Sequence, residues 1–165
     1  PTITCTTAAN PSALVSAITA ANANGASPDT ICLTNSTYGF FSAANSIALP
    51  SITTPITIVG NGAILDRGGG APQFRLFNVT SSGSLTLQNL TVRNFNAGGG
   101  NGGAIINAGN LTLDGVTLTG NAARFGGAIH SSGTLSITGS TLSTNTVQEK
   151  RSSPLAVASS HNPAA

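Results

Sequence analysis

Charge is what this chain has least of. Only 6% of its 165 residues are Asp, Glu, Lys or Arg, for a formal net charge of +2, against about 25% in an average soluble domain. The bases are scattered: Arg67, Arg75, Arg93 and Arg124 sit in separate stretches, and Lys150-Arg151 is the one basic pair. Phosphate binding needs a concentrated positive face, so nucleic acid is set aside as a partner. The acids are Asp29, Asp66, Asp114 and Glu149, far apart in the chain. Calcium sites and the acid and base of glycosidic cleavage both need clustered carboxylates, so no catalytic, metal or cofactor residue is assigned and the chain reads as no enzyme.

Long apolar runs are missing as well. None approaches the roughly 18 residues that cross a bilayer, so no membrane span is expected. The chain opens at Pro1 without a basic and apolar leader; a signal peptide, if one existed, has been removed. Aromatic residues make up 4% and Trp and Met are absent, which leaves Ala, Leu, Ile and Val to build a core. Cysteine is limited to Cys5 and Cys32, both on strand-like segments, TITCT and TICLT. In a secreted chain they pair, closing a loop worth on the order of 3 kcal/mol; two buried thiols that never meet is the alternative that spacing leaves open.

What the chain does have is repetition. GGAI occurs at Gly102 to Ile105 and again at Gly126 to Ile129, 24 positions on, and each copy runs on through a Gly into LTL or LSI and then VTL or STL. A fixed period of this length marks a repeat architecture. Aligning the apolar-x-apolar cores gives Ile31-Cys32-Leu33, Ile56-Thr57-Ile58, Leu85-Thr86-Leu87, Leu111-Thr112-Leu113 and Leu135-Ser136-Ile137, five coils. Second strands follow at Leu90-Thr91-Val92, Val116-Thr117-Leu118 and Thr141-Leu142. Period-2 alternation points Leu and Ile inward and Thr and Ser outward, and stacking at about 4.8 Å makes columns of each. The expected fold is all-β: a right-handed parallel β-helix of about five coils.

Within that fold Ala104-Ile105-Ile106 and Ala128-Ile129-His130 are third strands. Gly102, Gly103, Gly126 and Gly127 are their tight corners. Asn94, Asn121 and Asn145 end the second strands, where Asn tolerates a left-handed turn and bonds to its stacked equivalent. Two insertions, Asp66 to Gln73 and Phe95 to Gly100, loop out from the coils; being mostly Gly and Ala, they offer little chemistry. Four sequons, at Asn35, Asn78, Asn89 and Asn110, are candidates for glycosylation.

The two ends differ. Residues 1–7 read as a short strand with Ile3 and Cys5 on one face. Asn10 then N-caps a helix with Pro11 at its first position, Leu14, Val15 and Ile18 at core spacing and Gly25 as its stop. With no Lys or Arg it is a solenoid cap rather than a membrane-surface helix. From Val147 the pattern stops, and 147–165 reads as a tail that docks on a neighbour or, through Leu155, Ala156 and Val157, caps the last coil of its own subunit. The units are therefore 1–30, strand and capping helix; 31–146, coils; and 147–165, tail.

The ITAANANGASPDTICL segment, the phrase PITIVGNGAILDRGGG and the GGAI corners together resemble secreted bacterial right-handed β-helix proteins of the surface and adhesin class, similar to chlamydial polymorphic outer-membrane protein repeats. The resemblance covers roughly residues 8–145. It implies the fold, an extracellular or cell-surface location and no particular activity.

The leading functional expectation is a non-enzymatic extracellular structural protein that associates with itself, end to end as a filament, through the solenoid ends and the tail. The alternative is a monomeric adhesin binding a surface glycan through its Gly-rich insertions. Ice binding through the Thr columns and polysaccharide chemistry are minor alternatives, with His130 as a surface ladder residue rather than a base.

Overall fold

The computed structural model describes residues 4–148. Its strands stack in parallel and in register as a β-solenoid of about five turns with one short helix near the N-terminus. The first sheet holds β1 (Thr6–Ala8), β2 (Asp29–Leu33), β4 (Pro55–Val59), β7 (Ser84–Gln88), β10 (Asn110–Asp114) and β14 (Thr134–Thr138), in that order. The second runs β3 (Thr37–Phe40), β5 (Ile64–Arg67), β8 (Thr91–Arg93), β11 (Thr117–Thr119), β15 (Thr141–Ser143). A third stacks β6 (Phe77–Val79), β9 (Ile105–Asn107) and β13 (Ile129–Ser131), and β12 (Ala122–Ala123) pairs with β16 (Thr146–Val147).

Burial follows the period-2 alternation. Leu85, Leu87, Val92, Leu111, Leu113 and Leu118 are buried, and the Thr between them face outward. Tyr38, Leu65, Val92 and Leu118 form one inward column of the second sheet, with Leu142 at its end. Thr30, Thr57, Thr86, Thr112 and Ser136 form an outward hydroxyl column across five strands of the first sheet. Phe40, Phe74 and Phe95 meet inside at tilted angles, 5.9 and 6.1 Å between centroids, and fill the corner that the small residues leave open.

Three details depart from the sequence alignment. Ile31 pairs with Ile58, and it is Asp29 that lies opposite Ile56, a slip of two residues. Such a slip keeps every side chain on its own face, so hydrophobic patterning cannot detect it. The third strands begin one residue later than Ala104 and Ala128, because each GGA forms the corner itself. The first strand is Thr6–Ala8 rather than 1–7, and Ile3 lies outside the described residues. So does the tail beyond Gln148, including Leu155, Ala156, Val157 and His161.

Helix α1 (Pro11–Ala23) closes the N-terminal end. The Asn10 carboxamide accepts from Ala13 N at 2.8 Å, Pro11 occupies the first turn, and Gly25 follows the C-cap with φ +89°. Leu14, Ala17, Ile18 and Ala21 are buried, packed on the first turn. Asn22 fixes the helix to the next loop: its Nδ2 donates to Ser51 O, and its Oδ1 accepts from Thr53 N and Thr53 Oγ1.

Cys5 and Cys32, 27 positions apart in sequence, form a disulfide with Cα atoms 5.7 Å apart. It ties the chain that enters α1 to the first full strand that leaves it. Replacing both cysteines with serine is expected to lower unfolding stability by about 3 kcal/mol, the loop-closure entropy returned to the unfolded chain, measured by urea denaturation.

Candidate functional site

The repeated motifs sit at corners. Gly102 and Gly126 have φ of +67° and +61°, and a side chain on either would run into the carbonyl of Ile105 or Ile129. Gly103 and Gly127 face the backbone of the next coil, at Ala122 and Thr146 respectively. A further column, Gly83, Gly109 and Gly133, has no room for a Cβ because each approaches a carbonyl of the coil before. These positions hold backbone and carry no chemistry.

Asn121 is fully buried and fully used. Its Oδ1 accepts from Phe95 N at 3.0 Å, and its Nδ2 donates to Val92 O and to Asn145 Oδ1. Asn145 repeats the pattern one coil on, with Oδ1 accepting from Asn121 N and Nδ2 donating to Leu118 O. Asn94 is not their equivalent. It takes the left-handed turn itself, at φ +65°, a place filled in later coils by Gly120 and Thr144, so the ladder starts at Phe95 and runs through Asn121 to Asn145. Asn107, a buried amide at a position where the neighbouring coils carry Val79 and Ser131 and no Asn recurs, donates to Ser131 Oγ and Thr134 O and accepts from Gly109 N.

The insertion at Asp66 is less empty than its glycines suggest. Asp66 pairs with Arg93 from the next coil, at 3.0 Å, rather than with its neighbour Arg67. Asp66 Oδ1 accepts from Asn94 Nδ2 at 2.7 Å. Arg67 donates from Nε to Asn94 O at 2.7 Å and from Nη1 to Ala71 O and Pro72 O. Asp66, Arg67 and Asn94 line an open hollow of about 320 Å³ on the solenoid wall, together with Asn96. Arg75, which donates from Nε to Gly102 O, is desolvated by burial, which lowers its guanidinium pKa.

The C-terminal end is the other unusual place. Leu135, Ile137 and Leu142 are 38%, 44% and 45% exposed, whereas Leu111, Leu113 and Leu118, their register partners one coil earlier, are buried. Val147 is 60% exposed. Among the described residues nothing lies on the far edges of β14 and β15.

The remaining candidates are dispersed. Among the described residues no three His, Cys, Asp or Glu stand together, and Asp29, Asp66 and Asp114 lie in different turns. His130 pairs with Ile106 in the third sheet and is half-buried. Of the sequons, Asn35, Asn89 and Asn110 are exposed, while Asn78 is half-buried with its Nδ2 donating to Ser51 Oγ at 2.9 Å. No helix of the described residues is long and apolar enough to cross a membrane. Comparison with protein-family models, with curated proteins and with solved structures finds no match.

Asn121→Ala strands the Phe95 and Val92 backbone groups without their partner, and is expected to cost about 2–3 kcal/mol in urea unfolding. Asn94→Gly, at an exposed left-handed position, is expected to change stability by less than about 1 kcal/mol.

Proposed function

We propose that this chain is a non-enzymatic extracellular structural module that associates with a second copy of itself through the C-terminal end of its solenoid. The observation that carries the proposal is the last coil, where an inward row of Leu135, Ile137 and Leu142 continues the core columns and is left partly in solvent. Each of these side chains gains on the order of 1 kcal/mol when its exposed part is covered. The adjoining strand edge of β14, unpaired among the described residues, offers N–H and C=O groups in line with them.

The second copy fits by symmetry. A two-fold axis normal to the first sheet reverses strand direction but keeps inward residues inward. It sets β14 antiparallel to its twin, with Ser136 on the axis and Leu135 opposite Ile137 of the other copy. Such an interface is isologous and closes at two subunits. Propagation into a filament needs a second contact surface. At the N-terminal end α1 and the loop that Asn22 holds cover the first turn, and the tail beyond Gln148 is the segment proposed for that second contact. The extracellular setting is supported by the Cys5–Cys32 disulfide and the nearly uncharged surface, and by the resemblance to secreted β-helix surface proteins with GGAI corners.

Sedimentation velocity over a range of concentrations tests the association. Wild type is expected to shift from monomer to dimer as concentration rises. Ile137→Lys with Leu142→Lys is expected to stay monomeric while keeping its β circular-dichroism signal. A wild-type chain that remains monomeric throughout contradicts the proposal, and polymers that survive the double substitution assign the contact elsewhere.

A further inference from the structure

Phe41 is 66% exposed, the most exposed large apolar side chain among the described residues. Its ring is nevertheless held. A Cβ on Gly39 would stand 2.9 Å from Phe41 Cε2, and a Cβ on Gly68 would collide with the opposite ring edge at Cε1 and Cδ1. The ring therefore fills the space that a side chain on either glycine would take, Gly39 on β3 and Gly68 just past β5, and the Gly68 N to Phe40 O hydrogen bond of 2.7 Å sets Gly68 beside Phe41. The rest of the ring lines an open hollow with Pro11, Ser12, Val15 and Ala48.

Gly68 also belongs to the wall of the polar hollow that holds Asp66, Arg67, Asn94 and Asn96. Gly68 thus stands between the aromatic ring and the polar hollow: its Cβ position meets the ring, and its backbone lines the hollow. The ionic groups of the hollow are pinned by one another and by backbone carbonyls: Asp66 by Arg93 and Asn94, Arg67 by Asn94 O, Ala71 O and Pro72 O. What they offer a ligand is a fixed set of donors and acceptors that costs little to organise.

A flat apolar plate beside preorganised polar groups matches a pyranose ring, which has one face of C–H groups and an edge of hydroxyls that both donate and accept. A nucleobase would stack as well, but its phosphates need concentrated positive charge. The hollow is lined by one carboxylate and one guanidinium, with Arg93 behind the carboxylate, and the whole chain carries only +2. We infer that Phe41 and the Asp66–Asn96 hollow form a binding site for an uncharged oligosaccharide, with Phe41 as the stacking platform and the hollow reading the hydroxyls of the adjacent sugar. The site lies on the solenoid wall, away from β14, and is independent of self-association.

Calorimetry of the intact chain against neutral hexasaccharides of glucose, galactose and N-acetylglucosamine tests it. At least one hexasaccharide is expected to bind, with Phe41→Ala weakening it about ten-fold, the loss expected for an aromatic stacking contact. Phe41→Trp is expected to retain binding, and Gly68→Leu, which lifts the ring from its bed, to lose it. Both Phe41 variants alter an exposed side chain, so an unchanged circular-dichroism spectrum and dimer content separate loss of the site from loss of the fold. Absence of binding by all three sugars overturns the inference, as does equal binding by wild type and Phe41→Ala. Binding of a deoxythymidine oligomer but of no sugar also overturns it.

Discussion

Everything in this fold depends on one requirement: an inward side chain of one coil must rest on the inward side chain at the same position in the next, about 4.8 Å away. With so few aromatic residues, the core is thin and is filled by columns of Leu, Ile and Val rather than by bulk. The requirement makes strict demands elsewhere. Where coils turn, carbonyls from successive coils crowd one another, and Gly83, Gly109 and Gly133 leave out the Cβ that would intrude. Where a turn interrupts the backbone ladder, the Asn121 and Asn145 amides replace the missing partners.

The same requirement gives the two ends opposite characters. At the N-terminus a different element takes the place of a preceding coil: α1 lays Leu14 and Ile18 on the first turn, and the disulfide and Asn22 keep it there. At Leu135, Ile137 and Leu142 the columns reach solvent. A column that stops in water is under-buried by construction, and its cheapest remedy is another strand in the same register. Placing self-association at this end follows from that asymmetry, whereas the sugar site on the wall belongs to an insertion whose side chains are already satisfied and need no partner for stability.

The sequence revealed the repeats because Leu-x-Leu, the outward Thr and the corner Gly each recur at nearly constant spacing. From Leu85 to Ile137 the aligned residues are the ones that pair. It failed where constraints do not repeat. The Ile31 to Ile58 register differs from the aligned one by two residues, a slip that leaves each side chain on its face. Asn94 shares its residue type with Asn121 and Asn145 but not their place, since Gly120 and Thr144 take its turn. The Phe41 plate is invisible in sequence, because Phe41 and Gly68 meet only when two coils stack. The exposed row in the last coil has the same pattern as the buried rows before it; only the fold shows which one lacks a neighbour among the described residues.

Hydrogen–deuterium exchange of the intact chain at low and high protein concentration probes that row directly. If the C-terminal end is the surface through which copies join, the amides of β14 and β15 gain protection as concentration rises, while those of β7 and β10, already paired on both sides, do not change. Equal exchange of β14 and β15 at both concentrations would contradict it.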